Sequence, residues 1–277
     1  MKIDFREVGG QTLRVGIRPG DKSQAPLLLF NGIGANIELV EPFLDILDGP
    51  EAIVFDVPGV GGSPPPRVPY RPWHLVRLSA RLLDQLGHDR VDVLGVSWGG
   101  AIAQQFAFQQ AKRCRRLVLA ATSPGHIMVP GKLAVHLKMA SPRRYRDPAY
   151  MGRIAGDIYG GRMRNSPELV QKHMRHVRWS SDYGYYLQLM AFVGWTSLPW
   201  LPFLPQPTLV MAGSDDPIVP LVNGRIMAKL IPDSQMVTLD DGHLFLLTSA
   251  RESARLISEF LGKNSSDTRL ATVSTPC

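Results

Sequence analysis

Residues 91–108 read Val-Asp-Val-Leu-Gly-Val-Ser-Trp-Gly-Gly-Ala-Ile-Ala-Gln-Gln-Phe-Ala-Phe and contain a Gly-x-Ser-x-Gly motif centred on Ser97. The apolar run before the motif predicts a strand, and the stretch behind it predicts a helix. A serine at a sharp turn from strand to helix is strained, so small residues must flank it on both sides. We therefore predict that Ser97 is a nucleophile and that the amide of Trp98 is one donor of an oxyanion hole. An ordinary glycine-rich turn is the alternative.

Other short apolar runs on both sides of this motif predict further strands. Turn residues such as Gly, Asn, Asp or Ser end these runs, which is typical of strands buried on both faces of a parallel sheet. The spacing of leucines predicts a helix over 73–86 that ends at Gly87, and a last helix is expected over 249–261. This alternation predicts an α/β fold with a doubly wound, mostly parallel sheet. The predicted strands are 26–30, 52–55, 91–95, 117–120, 208–212 and 235–239.

A serine nucleophile needs a base, and the base needs a carboxylate that orients it. In sheets of this kind the chain order is serine, acid, histidine, and the groups follow the carboxyl ends of strands. His243 follows a predicted strand and Gly242, a combination that the other six histidines lack. Asp215 and Asp216 follow another predicted strand. The spacing within that loop favours Asp216 as the acid, with Asp215 as a turn residue or helix cap.

The second donor of an oxyanion hole is expected in the turn after an earlier strand. Asn31-Gly32-Ile33-Gly34 follows the predicted strand 26–30, and the amide of Ile33 is the best candidate. An Asn-Gly turn without a catalytic role is the alternative. The sequence contains no phosphate-binding loop, no His-Glu-x-x-His motif and no paired cysteines. We therefore expect neither a cofactor nor a metal ion.

Residues 125–200 differ in composition from the rest of the chain. They hold eleven Lys and Arg against four Asp and Glu, so the whole formal net charge of +7 lies in this segment. They also hold ten of the 22 aromatic residues and six of the ten methionines. We predict a helical cap over 125–200, an α/β core formed by 1–124 and 201–262, and a flexible tail over 263–277.

The overall composition argues against several classes of protein. A chain of 277 residues, with 44% apolar and 20% charged residues, is long enough for one large α/β domain with an insertion. No apolar run approaches the roughly 18 residues of a membrane span, and residues 1–15 lack the apolar segment of a secretory signal. Cys114 and Cys277 do not suit a disulfide scaffold. No nucleic-acid-binding motif accompanies the basic charge, so we expect no nucleic acid partner.

At these motifs, over about 27–261, the chain resembles the α/β-hydrolase superfamily. Within it, the chain looks like the intracellular poly(3-hydroxyalkanoate) depolymerases of bacteria that store medium-chain-length polyester. The resemblance is specific because Asn31-Gly32 stands where most superfamily members have His-Gly. It implies a catalytic triad of Ser97, Asp216 and His243, the same residues that were chosen above by position. The segments that carry it are 30–36, 55–63, 95–101, 129–132, 140–145, 194–197 and 241–246.

The resemblance also implies an activity: a serine hydrolase that cleaves the ester bonds of poly(3-hydroxyalkanoate) through an acyl-enzyme, without a cofactor, on storage granules in the cytoplasm. The products would be 3-hydroxyalkanoate monomers or oligomers. Two alternatives remain open, a carboxylesterase or lipase acting on small acyl esters and a hydrolase-fold protein that binds without catalysis. For the basic segment we expect contact with the granule, with aromatic side chains against the polyester and with Arg and Lys, including Arg143, Arg144 and Arg146, against anionic surface components and released carboxylates. A solvated basic surface is the alternative.

Overall fold

A computed structural model describes residues 1–262 of the chain, and these residues contain one eight-stranded sheet. Its strands are β1 (Lys2–Val8), β2 (Gln11–Arg18), β3 (Leu27–Phe30), β4 (Ala52–Phe55), β5 (Val91–Val96), β6 (Cys114–Ala120), β7 (Thr208–Gly213) and β8 (Ser234–Leu239). They lie in the order β1-β2-β4-β3-β5-β6-β7-β8. β2 is antiparallel to both of its neighbours, and all other pairs are parallel. The predicted α/β class with a mostly parallel sheet is confirmed.

Helices connect the strands and cover both faces of the sheet. The α-helices are α1 (Ile37–Leu44), α2 (Pro72–Leu86), α3 (Trp98–Gln109), α4 (Leu133–Met139), α5 (Arg143–Arg146), α6 (Pro148–Tyr159), α7 (Pro167–Arg175), α8 (Asp182–Ala191), α9 (Leu221–Leu230), α10 (Phe245–Thr248) and α11 (Ala250–Gly262). Helix α2 ends as predicted at Gly87, which has a left-handed φ of 76°. In the described part of the chain, no helix is long and apolar enough to cross a membrane.

Successive side chains of the central strands belong alternately to two apolar clusters, one on each face of the sheet. In β3, Leu28 and Phe30 pack on one face of the sheet, and Leu27 and Leu29 pack on the other. Successive side chains of a strand point to opposite faces, so a strand that is covered on both faces needs a continuous apolar run. This is why five of the six predicted strands, β3 to β7, could be recognised, whereas the sixth, β8, is the other edge of the sheet and is only partly buried. The ends of all six differ from the structure by at most three residues.

The hairpin formed by β1 and β2 was not among the predicted strands. β1 is the edge of the sheet, and the side chains of Lys2, Ile3, Asp4 and Phe5 are all exposed. An edge strand with little buried surface does not need the continuous apolar run by which the inner strands were recognised. β2 lies between β1 and β4 but is only partly buried and lacks such a run as well, so the antiparallel part of the sheet was not predicted from the sequence.

The segment 125–200 adds no strand to the sheet in this structure and contains helices α4 to α8. An isolated bridge between Gly125 and Thr196 joins its two ends. Met151 and Ile158 of α6 belong to a separate apolar cluster, which also includes Ile218 from the loop after β7. We propose on these grounds that 125–200 is a cap on a core formed by 1–124 and 201–262. The predicted tail, 263–277, lies outside the described residues.

The basic side chains of the proposed cap do not form one open patch. Arg144 is only 1% exposed, because the rings of Tyr145 and Tyr185 and the carbonyl of Met139 enclose it. The prediction that Arg144 faces a granule is therefore wrong. Five other basic residues form ion pairs, which are Lys138–Asp157, Arg143–Asp147, Arg146–Asp182, Arg162–Asp241 and Arg164–Asp215.

Asp56, directly after β4, fixes the turn at the carboxyl end of that strand. Its buried carboxylate accepts hydrogen bonds from the amides of Ile37 and Gly62 (2.8 Å each) and pairs with Arg14 at 3.0 Å. Burial raises the pKa of Asp56, while these three partners favour the charged form. The carboxylate therefore joins β2, the start of α1 and the glycine-rich turn at 59–62.

Replacing this carboxylate should lower the free energy of unfolding. Asp56→Ala leaves the amides of Ile37 and Gly62 without their acceptor and removes one of the two carboxylates that pair with Arg14, the other being Glu38, so we expect a loss of about 2–4 kcal/mol in urea unfolding. Asp84→Ala is the control, because that side chain is 64% exposed in its pair with Arg113 and should change the free energy by less than about 1 kcal/mol. Equal losses in the two variants would contradict the role assigned to Asp56.

Candidate active site

Ser97 lies in a strained turn between β5 and α3. Its backbone has φ 52° and ψ −119°, and within residues 1–262 only one other non-glycine residue, Ala121, has a positive φ. Such a conformation costs about 1–3 kcal/mol and persists only where its surroundings impose it. The Ser97 amide donates to the carbonyl of Ala120 at 2.8 Å, and its carbonyl accepts from the Thr122 hydroxyl at 2.7 Å. β6 and the loop after it therefore hold the turn from one side.

The glycines of the motif allow β3, β5 and α3 to come close together. A Cβ atom on Gly99 would lie 2.1 Å from the carbonyl oxygen of Phe30. A Cβ atom on Gly95 would lie 2.5 Å from the Cα of Gly100. Real Cβ atoms do not approach other atoms so closely, so larger residues at these positions would displace the turn. The close packing around Ser97 therefore explains why the motif has glycine two residues before and two residues after the serine.

The structure brings the three residues of the predicted triad together. His243 Nε2 lies 2.8 Å from Ser97 Oγ, and His243 Nδ1 lies 2.7 Å from Asp216 Oδ2. When Nδ1 carries the proton and donates it to the carboxylate, Nε2 is free to accept the proton of the serine hydroxyl. The other oxygen of Asp216 accepts from the amides of Ile218 and Val219 at 2.9 Å each. The carboxylate is therefore held in a fixed orientation toward the imidazole.

Asp215 has a different environment from Asp216. Its half-exposed side chain forms a bidentate pair with Arg164 (2.9 Å to each oxygen) and accepts from the amide of Gly161 at 2.8 Å. The Arg164 side chain is the largest influence that lowers the pKa of Asp215. Asp215 thus connects the loop after β7 with the segment after α6.

Tyr159 contacts His243 directly and Asp241 holds the loop that carries it, and neither residue was assigned a role from the sequence. The carbonyl of Tyr159 accepts from the His243 amide at 2.7 Å, and the Tyr159 ring stacks on the imidazole with centroids 6.5 Å apart. Asp241 is buried and accepts from the hydroxyls of Thr248 and Ser249 at 2.6 Å each. Burial acts to raise the pKa of Asp241, but hydrogen bonds led by that of Ser249 lower it overall. No local sequence pattern could predict the role of Tyr159, because Tyr159 and His243 are 84 positions apart in the chain.

The two predicted oxyanion donors lie beside the serine. Ile33 and Trp98 both line a cavity with Ser97, and within the described residues neither main-chain amide donates a hydrogen bond to a protein acceptor. The next amide, that of Gly34, is already occupied because it donates to the Gln188 side chain at 2.7 Å. The Asn31 side chain accepts from the amide of Gly32 at 2.9 Å, as in an Asn-Gly turn. The role of Ile33 and Trp98 as donors stays a prediction.

Two cavities meet at Ser97. The walls of the first cavity include His243, Phe43 and the buried side chains of Arg144 and His173. The second cavity is lined by Trp98 and Phe192, among others. Both are mainly apolar, which suits a substrate with hydrocarbon groups on each side of the bond that reacts. In the described part of the chain, no three His, Cys, Asp or Glu side chains are grouped so that they could hold a metal ion.

The fold and the residues around Ser97 are those of a hydrolase of the α/β class, and comparison with known proteins supports this. The chain belongs to the alpha/beta hydrolase fold family, whose sequence profile matches residues 25–250. It is 55% identical over 256 residues to a poly(3-hydroxyalkanoate) depolymerase from Ectopseudomonas oleovorans, which covers 92% of this chain and 90% of the relative. The family resemblance seen in the sequence is confirmed.

Solved structures share the fold at lower sequence identity. An enol-lactonase from Burkholderia xenovorans LB400 superposes with a TM-score of 0.80, covering 94% of this chain and all of that chain, at 22% identity. A hydrolase from Pseudomonas aeruginosa PA01 gives a TM-score of 0.79, covering 94% and 98% of the two chains, at 24% identity. At these identities the likeness concerns the fold alone.

The two neighbouring aspartates provide a direct test of the geometry. Asp216→Asn removes the charge that orients and stabilises the His243 imidazolium, so kcat for a soluble nitrophenyl ester should fall by about 10³–10⁴-fold. Asp215→Asn makes the same chemical change one residue away and keeps an acceptor for the Gly161 amide, so kcat should stay within about threefold of wild type. Similar losses in both variants would contradict the assignment of Asp216.

Proposed function

We propose that this chain is a serine hydrolase that cleaves the ester bonds of poly(3-hydroxyalkanoate) through an acyl-enzyme intermediate. The observation that carries the proposal is the hydrogen-bonded chain from Asp216 through His243 to Ser97, at the junction of two apolar cavities. The 55% identity to a poly(3-hydroxyalkanoate) depolymerase over nearly the whole chain supports the choice of substrate. The products are 3-hydroxyalkanoate monomers or short oligomers.

The first half of the reaction forms the acyl-enzyme. His243 Nε2 takes the proton from Ser97 as Oγ attacks the ester carbonyl, and Asp216 stabilises the imidazolium that results. The amides of Ile33 and Trp98 stabilise the oxyanion, and the loss of one such donor costs about 10²–10³-fold in rate. The bond from the carbonyl carbon to the ester oxygen then breaks, and His243 gives its proton to the leaving oxygen.

The second half releases the acyl group. Water enters in place of the leaving alcohol, His243 takes a proton from it, and the resulting hydroxide attacks the acyl carbon. Collapse of the second tetrahedral intermediate returns the proton to Ser97 and frees the carboxylic acid. Every proton transfer uses His243, so the reaction needs no cofactor.

Substrate comparison tests this proposal against its alternatives. Wild type should hydrolyse an amorphous medium-chain-length polyester suspension faster, relative to a short acyl ester, than a general carboxylesterase does. Ser97→Ala should lose hydrolysis of both substrates by at least about 10³-fold, because it removes the nucleophile while the fold is kept. Labelling of Ser97 by a fluorophosphonate reports the activated serine.

The outcomes separate the hypotheses. Hydrolysis of short esters without polyester hydrolysis would favour a carboxylesterase or lipase. The absence of both activities and of labelling would favour a non-catalytic binding protein. An active Ser97→Ala variant would contradict the mechanism itself.

We also propose that the protein works in the cytoplasm at the surface of the storage granule, and that the proposed cap provides the contact. Of the sixteen large apolar side chains that are exposed in the described residues, eight belong to 125–200. Leu133 and Leu137, which are 74% and 65% exposed, lie one helical turn apart on α4. Exposed apolar groups of this kind suit a hydrophobic polymer surface. The ion-paired arginines of the segment are not needed for this contact.

Changing these leucines should weaken attachment to the polymer. Leu133→Ser with Leu137→Ser should lower the fraction bound to sedimented polyester particles by about threefold or more, since burying each leucine contributes about 1.5–3 kcal/mol at most. Phe5→Ser is the matched control, because Phe5 is 58% exposed on the edge strand β1. Hydrolysis of a soluble ester, measured in parallel, reports the state of the active site. Equal loss of binding in the control would argue against a specific contact through α4.

A further inference from the structure

Arg144 is a buried cation without an anionic partner. Its side chain is 1% exposed, and in the part of the chain that the structure describes no carboxylate forms an ion pair with it. Its Nη1 donates to the Tyr185 hydroxyl at 2.6 Å and to the Met139 carbonyl at 3.2 Å, and Nη2 lies 3.4 Å from the Tyr145 hydroxyl. These neutral acceptors solvate the guanidinium, but they do not neutralise its charge.

Two buried nitrogens beside this charge have no acceptor. Arg144 Nε and His173 Nε2 lack hydrogen-bond partners among the described residues. His173 is 6% exposed, and burial together with the Arg144 charge lowers its pKa to about 4. At neutral pH it is therefore an uncharged imidazole, which can donate one hydrogen bond from Nε2. Other buried side-chain polar atoms of the described residues also lack a partner, Arg6 Nε and Tyr70 Oη among them. Within this group, however, Arg144 and His173 are the ones that line the cavity with Ser97, which indicates a site for an anion there.

Both side chains line the cavity that contains the reacting groups. Arg144 and His173 form its walls together with Ser97 and His243, and most of the other lining groups are apolar. The Tyr159 ring contacts both imidazoles, with centroids 5.7 Å from His173 and 6.5 Å from His243. An anion held by Arg144 would therefore belong to a molecule that also reaches the serine.

We propose that Arg144 and His173 form a subsite for the free carboxylate of the substrate, so that the enzyme cleaves the ester next to the carboxyl end of a 3-hydroxyacyl chain. The inference rests on the proposed function and specifies which bond is cleaved. Guanidinium groups bind carboxylates through paired N–H donors, and an enclosed site strengthens that attraction. The terminal unit would occupy the first cavity with its carboxylate on Arg144.

The chemistry of the polymer suits this arrangement. In a 3-hydroxyalkanoate, two carbon atoms separate the hydroxyl oxygen from the carboxyl carbon, so the leaving oxygen and the carboxylate belong to one compact unit. Ser97 Oγ bonds to the carbonyl carbon of the preceding unit as its proton passes to His243. The bond from that carbon to the ester oxygen breaks, the oxygen takes the proton, and a 3-hydroxyalkanoate with a free carboxylate is released. Water then cleaves the acyl-enzyme as described above.

The second cavity suits the remaining chain. It shares Ile33, Ser97 and Met139 with the first cavity, and Val193 on its wall is 51% exposed. It therefore reaches the protein surface, and a long acyl chain can leave through it. Each turnover would shorten the polymer by one unit from its carboxyl end.

A pair of defined dimers tests the subsite in the wild-type protein. The first substrate is the dimer of 3-hydroxyoctanoic acid with a free carboxylate, and the second is the same dimer as its terminal carboxamide. We expect kcat/KM for the central ester to be about 10- to 100-fold higher for the acid, the factor that one charge-assisted hydrogen-bonded contact provides. 3-Hydroxyoctanoate should also inhibit hydrolysis of a neutral nitrophenyl ester more strongly than 3-hydroxyoctanamide does.

Variants show which residue causes the preference for the acid dimer over the amide dimer. Arg144→Gln should reduce the ratio of acid to amide to within about threefold of one, whereas Arg144→Lys should keep part of it because it keeps the charge. Arg153→Gln removes an exposed arginine of α6 and should leave the ratio unchanged. Circular dichroism and the rate on the neutral ester show whether each variant is folded. If Arg144→Gln does not fold, the wild-type ratio and the inhibition by the two products decide the question.

Two results would overturn the inference: equal kcat/KM for the two dimers in wild type, or an unchanged ratio in folded Arg144→Gln. Equal kcat/KM for the two dimers together with normal polyester hydrolysis would leave the proposed function intact and would indicate cleavage within the chain. An unchanged ratio in folded Arg144→Gln together with normal polyester hydrolysis would also leave the proposed function intact, but would assign the carboxylate contact to other residues. A preference for the acid dimer without any polyester hydrolysis would keep the subsite and contradict the proposed polymer substrate.

Discussion

The active site depends on the strained backbone at Ser97. A serine at φ 52° is stable only because β5, β6 and α3 are packed closely enough to exclude other conformations. The hydrogen bond from the Ser97 amide to β6 and the contacts of Gly95, Gly99 and Gly100 supply that constraint. The turn places Ser97 Oγ at the carboxyl edge of the sheet, where the loops after β7 and β8 place Asp216 and His243. The packing of the sheet thus determines the position of the nucleophile.

The turn after α6 holds the acid and histidine loops together. Gly161 and Arg164 bind Asp215, the amide of Arg162 donates to Asp241, and the Tyr159 carbonyl accepts from the His243 amide. Gly161 has φ 47°, and a Cβ atom there would lie 1.9 Å from the amide nitrogen of Gly242. The proposed cap is therefore not only a cover for the substrate. Its α6 end sets the position of the base, so a movement of this segment would also alter the catalytic groups.

The parallel part of the sheet and the triad could be predicted from the sequence because both depend on local patterns. Continuous apolar runs mark the inner strands with two buried faces, and Asp216 and His243 lie in the loops after the predicted strands β7 and β8. The contacts of Tyr159, Asp241 and Arg144 could not be predicted in this way, since they join distant parts of the chain. Arg144 lies in a helix of four residues with arginines on both sides, which is too short for a periodic pattern to show which one is buried. Net charge by segment was misleading there, because a buried cation counts the same as an exposed one.

Position links the proposed carboxylate subsite to the chemical step. Arg144 shares the walls of the first cavity with Ser97 and His243, and a carboxylate bound to it would neutralise a buried cation. The Tyr145 hydroxyl also connects this region to the carbonyl of Ile33 at 2.5 Å, next to the predicted oxyanion donor. A substrate carboxylate held by Arg144 would therefore fix the reacting ester between the serine and the predicted oxyanion donor, and the benefit would appear in kcat in addition to KM.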